Sequence, residues 1–355
     1  MAYDIVYLGR ARLQRSRANL IQMLQTAAAF KALGSGIKVF IPPWRGRLRL
    51  PEALADLGVD PALEVIGSPL LHPRWDFWPF VFFHRRLLKE TSVIYTRVAD
   101  ISRALAASGL AHHLEVHDVD TLTNKRTLAR VVGHHRRGVI RTLIPISHAA
   151  ADRLVAAGAD RARIHVAHSG VKLEAFAHVS PFDPATLERP RIVHLGKLSA
   201  PRGLNIFRHL AVQGSCAITI VSGDTIDLPN AVSLPAVPPA KVPEWYSKSD
   251  VVLLPYQPNV ETAASMSPVK MFEAMAAGRP IIASNLATIR EVLTHEQTAL
   301  LVEPGDLDAW ERALNRLRAE RGLAISLAQN ARAEAAKYSW ICRAQGILRA
   351  IENHW

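Results

Sequence analysis

Along the chain, short runs of β-branched and apolar residues alternate with longer stretches whose apolar positions recur at helical spacing. That alternation is the pattern of parallel sheets covered by helices on both faces. The runs predict strands over 4–8, 38–41, 92–95, 113–116, 139–145 and 163–166, which suffice for one Rossmann-like domain. A second series over 191–195, 217–221, 231–234, 251–255, 280–284 and 299–302 predicts another. Between them Ser180-Pro-Phe-Asp-Pro184 is the stretch richest in turn formers and is the expected linker. The expected division is therefore 1–180, 185–338 and a closing helix over 339–355. A chain of 355 residues exceeds the usual size of a single core, and 49% apolar residues can fill two.

The most informative segment reads Ser265-Met-Ser-Pro-Val-Lys-Met-Phe-Glu-Ala-Met-Ala-Ala-Gly-Arg-Pro280, followed by a strand. Ser267 is expected to cap a helix, Pro268 suits a first turn because no amide proton is needed there, and Gly278 with Pro280 stops it. Free backbone N–H groups at such a start, around Ser267, Val269 and Lys270, favour an anion. Glu273 lies six residues beyond Ser267, about 9 Å along the axis, roughly the span from a diphosphate to a ribose. A carboxylate accepts hydrogen bonds from two vicinal sugar hydroxyls, so one helix can hold a nucleoside diphosphate at both ends.

Net charge adds direction. The chain carries +12, and residues 1–182 hold 25 Lys and Arg against 14 acids while the remainder holds 18 against 17. Such a field attracts lipid headgroups, lipid-linked sugars or acidic polysaccharide, or it simply aids solubility. No zinc spacing, helix-turn-helix pattern or aromatic RNA-binding signature is present, so nucleic acid is not an expected partner. Cys216 and Cys342, far apart and in apolar surroundings, read as reduced core thiols. The chain opens on a strand pattern rather than a signal peptide and has no apolar run of membrane-spanning length, so a cytoplasmic setting is expected. His112-His113 and His134-His135 diverge on either a strand or a helix, so neither pair chelates alone and no metal is expected.

The helix segment resembles the nucleotide-sugar helix of retaining glycosyltransferases of the two-Rossmann-domain (GT-B) fold, the family usually called family 4. Ile192-Val-His-Leu-Gly-Lys-Leu-Ser-Ala-Pro-Arg-Gly203 is similar to that family's first strand and turn in the second domain, with Lys197 and Arg202 at its two basic positions. Residues 144–176 are similar to its domain-crossing stretch, from Ser147 through Gly158 to Gly170-Val171 and Phe176. The resemblance implies an α/β fold of two Rossmann-like parallel-sheet domains facing across a cleft, with a last helix returning to the first domain. It also implies a nucleotide-sugar co-substrate, UDP- or GDP-linked, and charge neutralisation without a metal.

Carried residue by residue, the resemblance makes Lys197, Arg202 and the Gly196 turn the diphosphate site, although each cation could equally be a solvated surface charge. Lys270 joins them or merely pairs with Glu273 on the helix. Val237 is placed to meet the base through its backbone, or to pack as an apolar turn residue. His117 matches the histidine facing the transferred sugar, or is structural; Glu115 shares its side of the strand, and Asp118 is a turn former. Two departures stand out. Ser265 occupies the place of a glutamate that normally approaches the transferred sugar, and the glycine-rich turn after the first strand is reduced to Gly9 followed by Arg10, Arg12, Arg15 and Arg17, before a helix capped by Ser16.

Trp75-Asp-Phe-Trp-Pro-Phe-Val-Phe-Phe-His-Arg-Arg-Leu-Leu-Lys89 concentrates aromatics and ends in cations. It either dips into a headgroup layer at the inner face of a membrane or packs a helix on the sheet. The expected function is retaining transfer of a hexose-type sugar from a nucleotide diphosphate to a hydroxyl of a glycan, lipid-linked or small-molecule acceptor, anionic ones included. The alternatives are a catalytically degenerate nucleotide-sugar binding module and an epimerase on the same fold.

Overall fold

The computed structural model describes residues 3–14, 18–44, 46, 48–72 and 76–354. The expected Ser16 cap, Arg15, Arg17 and Trp75 lie outside the described residues. The chain forms two compact units, one of residues through Ser169 together with the stretch from Trp340, the other Gly170–Ser339.

Unit 1 holds β1 (Asp4–Leu8), β2 (Gly36–Ile41), β3 (Val65–Gly67), β4 (Val93–Thr96), β5 (His112–Val116) and β6 (Ile140–Pro145). They make one sheet in the order β3-β2-β1-β4-β5-β6, parallel at every pairing. Burial on both faces is why these strands read as continuous apolar runs rather than alternating ones. One face packs Leu20, Met23, Leu24 and Phe30 of the helix Ala18–Ala32 with Ile347 and Ile351 of the helix Trp340–Glu352. The opposite face packs Phe40, Phe80, Leu88, Ile94 and Leu105. Winding reverses between β1 and β4, and loops part at the carboxyl ends of adjacent strands at such a switch point, leaving room for a ligand.

Two expectations for this unit change. Residues 163–166 are not a strand: a three-residue 3-10 turn at Arg161–Arg163 is capped by Asp160, whose side chain accepts from the Ala162 amide at 3.0 Å, and Ile164 makes a single bridge to Leu143. The short polar cap captures backbone groups that a ladder would need. Conversely β3 was not expected, because three residues are too few for periodicity to register.

Unit 2 holds β7 (Arg191–Leu195), β8 (Ala217–Ser222), β9 (Ala231–Pro235), β10 (Val252–Leu254), β11 (Ile281–Ser284) and β12 (Leu300–Val302). They form the parallel triplets β7-β8-β9 and β10-β11-β12, and a parallel bridge between Ile192 and Val251 sets β7 beside β10. The switch point of this unit is thus at β7 and β10. Trp310, fully buried with Leu314 and Leu317, anchors one helix layer, while Phe272, Met271 and Met275 bury the helix Val269–Ala277 on the other. The unit begins earlier than the 180–184 stretch. Val171 donates to the Tyr338 carbonyl at 2.9 Å, and Phe176 sits 5.8 Å from the Tyr246 ring, so apolar burial rather than turn composition sets the boundary.

The aromatic segment divides its side chains. Within the helices Trp78–Phe83 and Arg85–Glu90, Phe80, Val81 and Leu88 are core, whereas Trp78, Phe82 and Phe83 are 41%, 73% and 72% exposed. Cys216 is buried, but Cys342 is exposed and so is not a core thiol, because it lies on the solvent side of its helix. Among the described residues no helix is long and apolar enough to cross a membrane.

Candidate functional site

In unit 2 the site is built from the loops leaving β7 and β10 and from the start of the helix Val269–Ala277. The backbone turns sharply at Gly196 (φ 88°), whose amide donates to the Val221 carbonyl at 2.7 Å. Gly203 (φ 87°) is required twice over: a left-handed backbone disfavours side chains, and an added Cβ would lie 2.3 Å from Pro255. This contact locks the β7 loop to the β10 loop, as does the Gln257 amide donating to the Pro201 carbonyl at 2.9 Å. Arg202, half-buried, ends the short turn Ala200–Arg202. Lys197 is exposed.

The helix is N-capped by Pro268, not Ser267; the Met271 amide donates to the Pro268 carbonyl at 3.0 Å. The fixed φ of proline permits the extended cap conformation as readily as the first helical turn, and here it takes the former (φ −70°, ψ 125°). Ser267 is buried one residue before the cap. The first helical residue is Val269, so the axial span to Glu273 shortens to about 6 Å. The Val269 and Lys270 N–H groups precede any intrahelical acceptor, which gives this end a positive character.

Lys270 and Glu273 follow on this helix, both half-buried. The Lys270 ammonium is 3.3 Å from His194 Nε2 and lies over Gly196, 3.6 Å from where a Cβ would stand. Burial lowers it to about 8; the Arg202 charge pushes the same way and Glu273 opposes. Burial and Lys270 hold His194 well below its usual range, so its imidazole is neutral. Burial raises the Glu273 carboxyl to about 7, against Lys270 and against Tyr246, whose hydroxyl donates to Oε2 at 3.4 Å. The Tyr256 hydroxyl, pushed up to about 12 by burial, feels both Arg202 and Glu273. Arg202, Lys270 and Glu273 are thus brought within mutual electrostatic reach at the carboxyl ends of β7 and β10. Val237, just after β9, is half-buried and packs against the apolar cluster that includes Tyr246 and Phe272.

In unit 1, a pocket of about 240 Å³ opens at the carboxyl ends of β4 and β5, lined by Arg10, Arg97, Glu115, His117, Asp118 and Lys125 among others. Glu115, 1% exposed, is its centre of charge. Arg343 binds its Oε1 at 2.9 Å, Tyr95 donates to Oε2 at 2.6 Å, and His117 Nε2 contacts Oε1. Burial alone would raise the Glu115 carboxyl, yet Arg343, His117 and Arg97 hold it well below the carboxylate range. His117 is lowered to about 4, by burial first and then Arg97, with Glu115 opposing. Its ring is therefore neutral at physiological pH. Asp118 caps the helix Val119–Asn124 by accepting from the Thr121 amide at 3.0 Å.

Sequence reasoning missed Arg343, Arg97 and Tyr95. A signal for Arg343 existed: it interrupts the buried stripe of Trp340, Ala344, Ile347 and Ile351, where an apolar residue is the norm. Further bonds from Arg343 to the His168 carbonyl and Thr26 Oγ1, both at 2.9 Å, fix its guanidinium.

Three of the four adjacent histidines are engaged elsewhere. His112 bonds Ser102 Oγ at 2.7 Å, His134 accepts from Arg137 at 2.9 Å and His135 Nδ1 donates to the Ile140 carbonyl at 3.0 Å. One described group has cation-binding potential: His209, Asp308 and Glu311 bring ligand atoms within 4.8 Å of one another. It lies on the outer helices Leu204–Gln213 and Leu307–Ala319, and His209 already bonds Glu311 at 3.1 Å.

Parallel α/β units of this kind are the doubly wound class of fold, in which ligands sit beyond the carboxyl ends of the strands, and comparison narrows it. The family model described as glycosyl transferases group 1 matches residues 189–320. The amylovoran biosynthesis glycosyltransferase AmsK of Erwinia amylovora is 28% identical over 250 residues, covering 65% of this chain and 56% of that protein. A D-inositol 3-phosphate glycosyltransferase of Xylanimonas cellulosilytica is 26% identical over 216 residues, covering 52% and 49%. The chain spans about half the length of these curated relatives. Among solved structures, Anabaena HepE in complex with UDP and glucose superposes with a TM-score of 0.73 at 15% identity, covering 99% of both chains. Sucrose-phosphate synthase of Thermosynechococcus elongatus gives 0.75 at 15% identity, covering 99% and 98%. The fold is that of the GT-B glycosyltransferases.

Proposed function

We propose that this protein is a metal-independent retaining glycosyltransferase that moves a hexose-type sugar from a nucleoside diphosphate to a hydroxyl of a glycan or lipid-linked acceptor. The observation that carries the reading is the convergence of Arg202, Lys270 and Glu273 at the amino end of the helix Val269–Ala277, within the segment matched by the glycosyl transferases group 1 model. In this reading the helix end, Arg202, Lys270 and Lys197 neutralise the diphosphate as the glycosidic bond breaks. Glu273 accepts from the ribose hydroxyls, and the leaving phosphate takes the acceptor's proton on the same face of the sugar. Unit 1 takes the acceptor, and His117, neutral and held by Glu115, hydrogen-bonds the transferred sugar.

Uridine is the first base to test, because HepE is described in complex with UDP. The role named for AmsK, amylovoran biosynthesis, favours a polysaccharide or lipid-linked acceptor. Exposed Trp78, Phe82 and Phe83 beside Arg85, Arg86 and Lys89 support peripheral contact with a membrane. UDP, GDP and ADP sugars are screened for thermal stabilisation, where a ligand at a hundred times its Kd adds about 2.7 kcal/mol. The selected donor is then followed for nucleotide release with and without chelator, and the product anomer is read by NMR. Affinity without release identifies a binding module instead.

A further inference from the structure

We propose that a second pocket of unit 1, between the helix Arg85–Glu90 and the amino-terminal ends of β4 and β5, seats the phosphate of an anionic phospholipid headgroup. The proposal rests on the peripheral membrane contact above and adds the group that selects the lipid.

The pocket, about 290 Å³, opens at the amino-terminal ends of the strands, opposite the carboxyl ends that carry His117. Leu88, Ile94 and Leu110 give it apolar walls; Lys89, Arg141 and His113 are its charged or titratable members, and no carboxylate is among its described lining residues. His113 is only 4% exposed, and its Nδ1 is buried with no hydrogen-bond partner among the described residues. An unpaired buried polar atom is unfavourable, and an oxygen acceptor admitted to it would gain a hydrogen bond from Nδ1–H. Burial, with His112 and Arg141 adding to it, lowers His113 to about 3, so the ring stays a neutral donor. Two cations, a neutral donor and no acid suit a phosphate monoanion or dianion.

The lipid, rather than a soluble phosphate, follows from the neighbouring helices. Five large hydrophobic side chains are exposed among the described residues, and three of them, Trp78, Phe82 and Phe83, fall within six positions. The helix Arg85–Glu90 then supplies Leu88 and Lys89 to the pocket and exposes Arg85 and Arg86 to solvent. Aromatics that enter a headgroup layer and cations that meet its phosphates are the two halves of an interfacial anchor.

The test is flotation of the full chain with vesicles of phosphatidylcholine alone or mixed with phosphatidylglycerol. Wild type is expected to float with the mixed vesicles only. K89Q/R141Q should weaken that binding by clearly more than the roughly thirtyfold that a general surface field gives for two cations at about fivefold each, and F82A/F83A should abolish it. Nucleotide-sugar stabilisation should be unchanged in every variant, which shows that each is folded. If F82A/F83A loses binding while K89Q/R141Q matches wild type, the pocket assignment falls and the membrane contact stands. The pocket assignment also falls if R85Q/R86Q weakens binding as much as K89Q/R141Q, since a general field rather than a pocket would then be at work. Absence of any vesicle binding by wild type overturns the lipid and the membrane contact alike, and stabilisation by inorganic phosphate in that case assigns the pocket a soluble anion instead.

Discussion

If Glu273 holds the ribose and Lys270 the diphosphate as proposed, nucleotide-sugar binding depends on pH, and the window follows from the two shifts at these residues. The ribose needs the ionised carboxylate as acceptor. With the carboxyl raised to about 7, affinity for a nucleotide sugar is full above that pH and falls as pH drops through it, about tenfold for each further unit, or 1.36 kcal/mol. The diphosphate needs the Lys270 ammonium, which is lowered to about 8, so affinity falls again as pH rises through that value. A plot of log affinity against pH should therefore peak between about 7 and 8 and lie roughly tenfold lower at about pH 6 and about pH 9. Titration calorimetry with an intact nucleotide sugar reads this cleanly, because its diphosphate diester has no proton titrating there.

Glu273→Gln should erase the acid limb and lower affinity at about pH 8 by roughly tenfold to a hundredfold, as expected for losing a hydrogen bond to a charged group. The same substitution should stabilise the empty protein. The carboxyl is raised in the folded state from its ordinary 4.5, so its favourable contribution is complete below that value and lost as pH rises towards about 7. Above about pH 7 a neutral amide relieves a buried charge, a gain on the order of 1–3 kcal/mol measurable by denaturant unfolding. A flat affinity profile from about pH 6 to 8, or a Glu273→Gln variant that binds donor as wild type does, would refute the ribose role.

Other expectations are simpler. Arg343→Met should cost unit 1 about 3–5 kcal/mol, because it strands the buried Glu115 carboxylate, and adding Glu115→Gln should restore much of that in urea unfolding. If the single variant unfolds at the wild-type midpoint, the pair is not the centre of the network. Gly203→Ala meets Pro255 at 2.3 Å with a left-handed backbone, so donor stabilisation should drop sharply while far-UV circular dichroism is retained. His117→Ala should slow sugar transfer at least tenfold and leave affinity for the free nucleoside diphosphate within about twofold, a split visible in kcat against Kd. Equal loss of both would move His117 from the sugar to the fold.

Most of the frame was legible in the residues themselves. The β-branched runs at Arg191–Leu195 and Asp4–Leu8 form strands with the expected bounds, and Gly278 stops the helix in a left-handed turn (φ 61°). Such features depend on steric preference and periodicity within a few residues, information that is local by nature. The pairing of Glu115 with His117 was also within reach, since alternate residues on a strand share a face. Local rules could not choose between Ser267 and Pro268 as the cap, because both fit the backbone, nor find a boundary set by Val171 and Phe176 packing on unit 2.

What tertiary structure alone decided is the chemistry of charge and exposure. Arg343 reaches Glu115 from the far end of the chain, and Arg202 influences Lys270 only because β7 and β10 lie side by side. It likewise sorted one aromatic run into core at Phe80 and solvent at Phe82. The order of residues determines which groups the chain carries, but desolvation and Coulomb interaction sum over everything within several ångströms, and those neighbours exist only once the chain has folded.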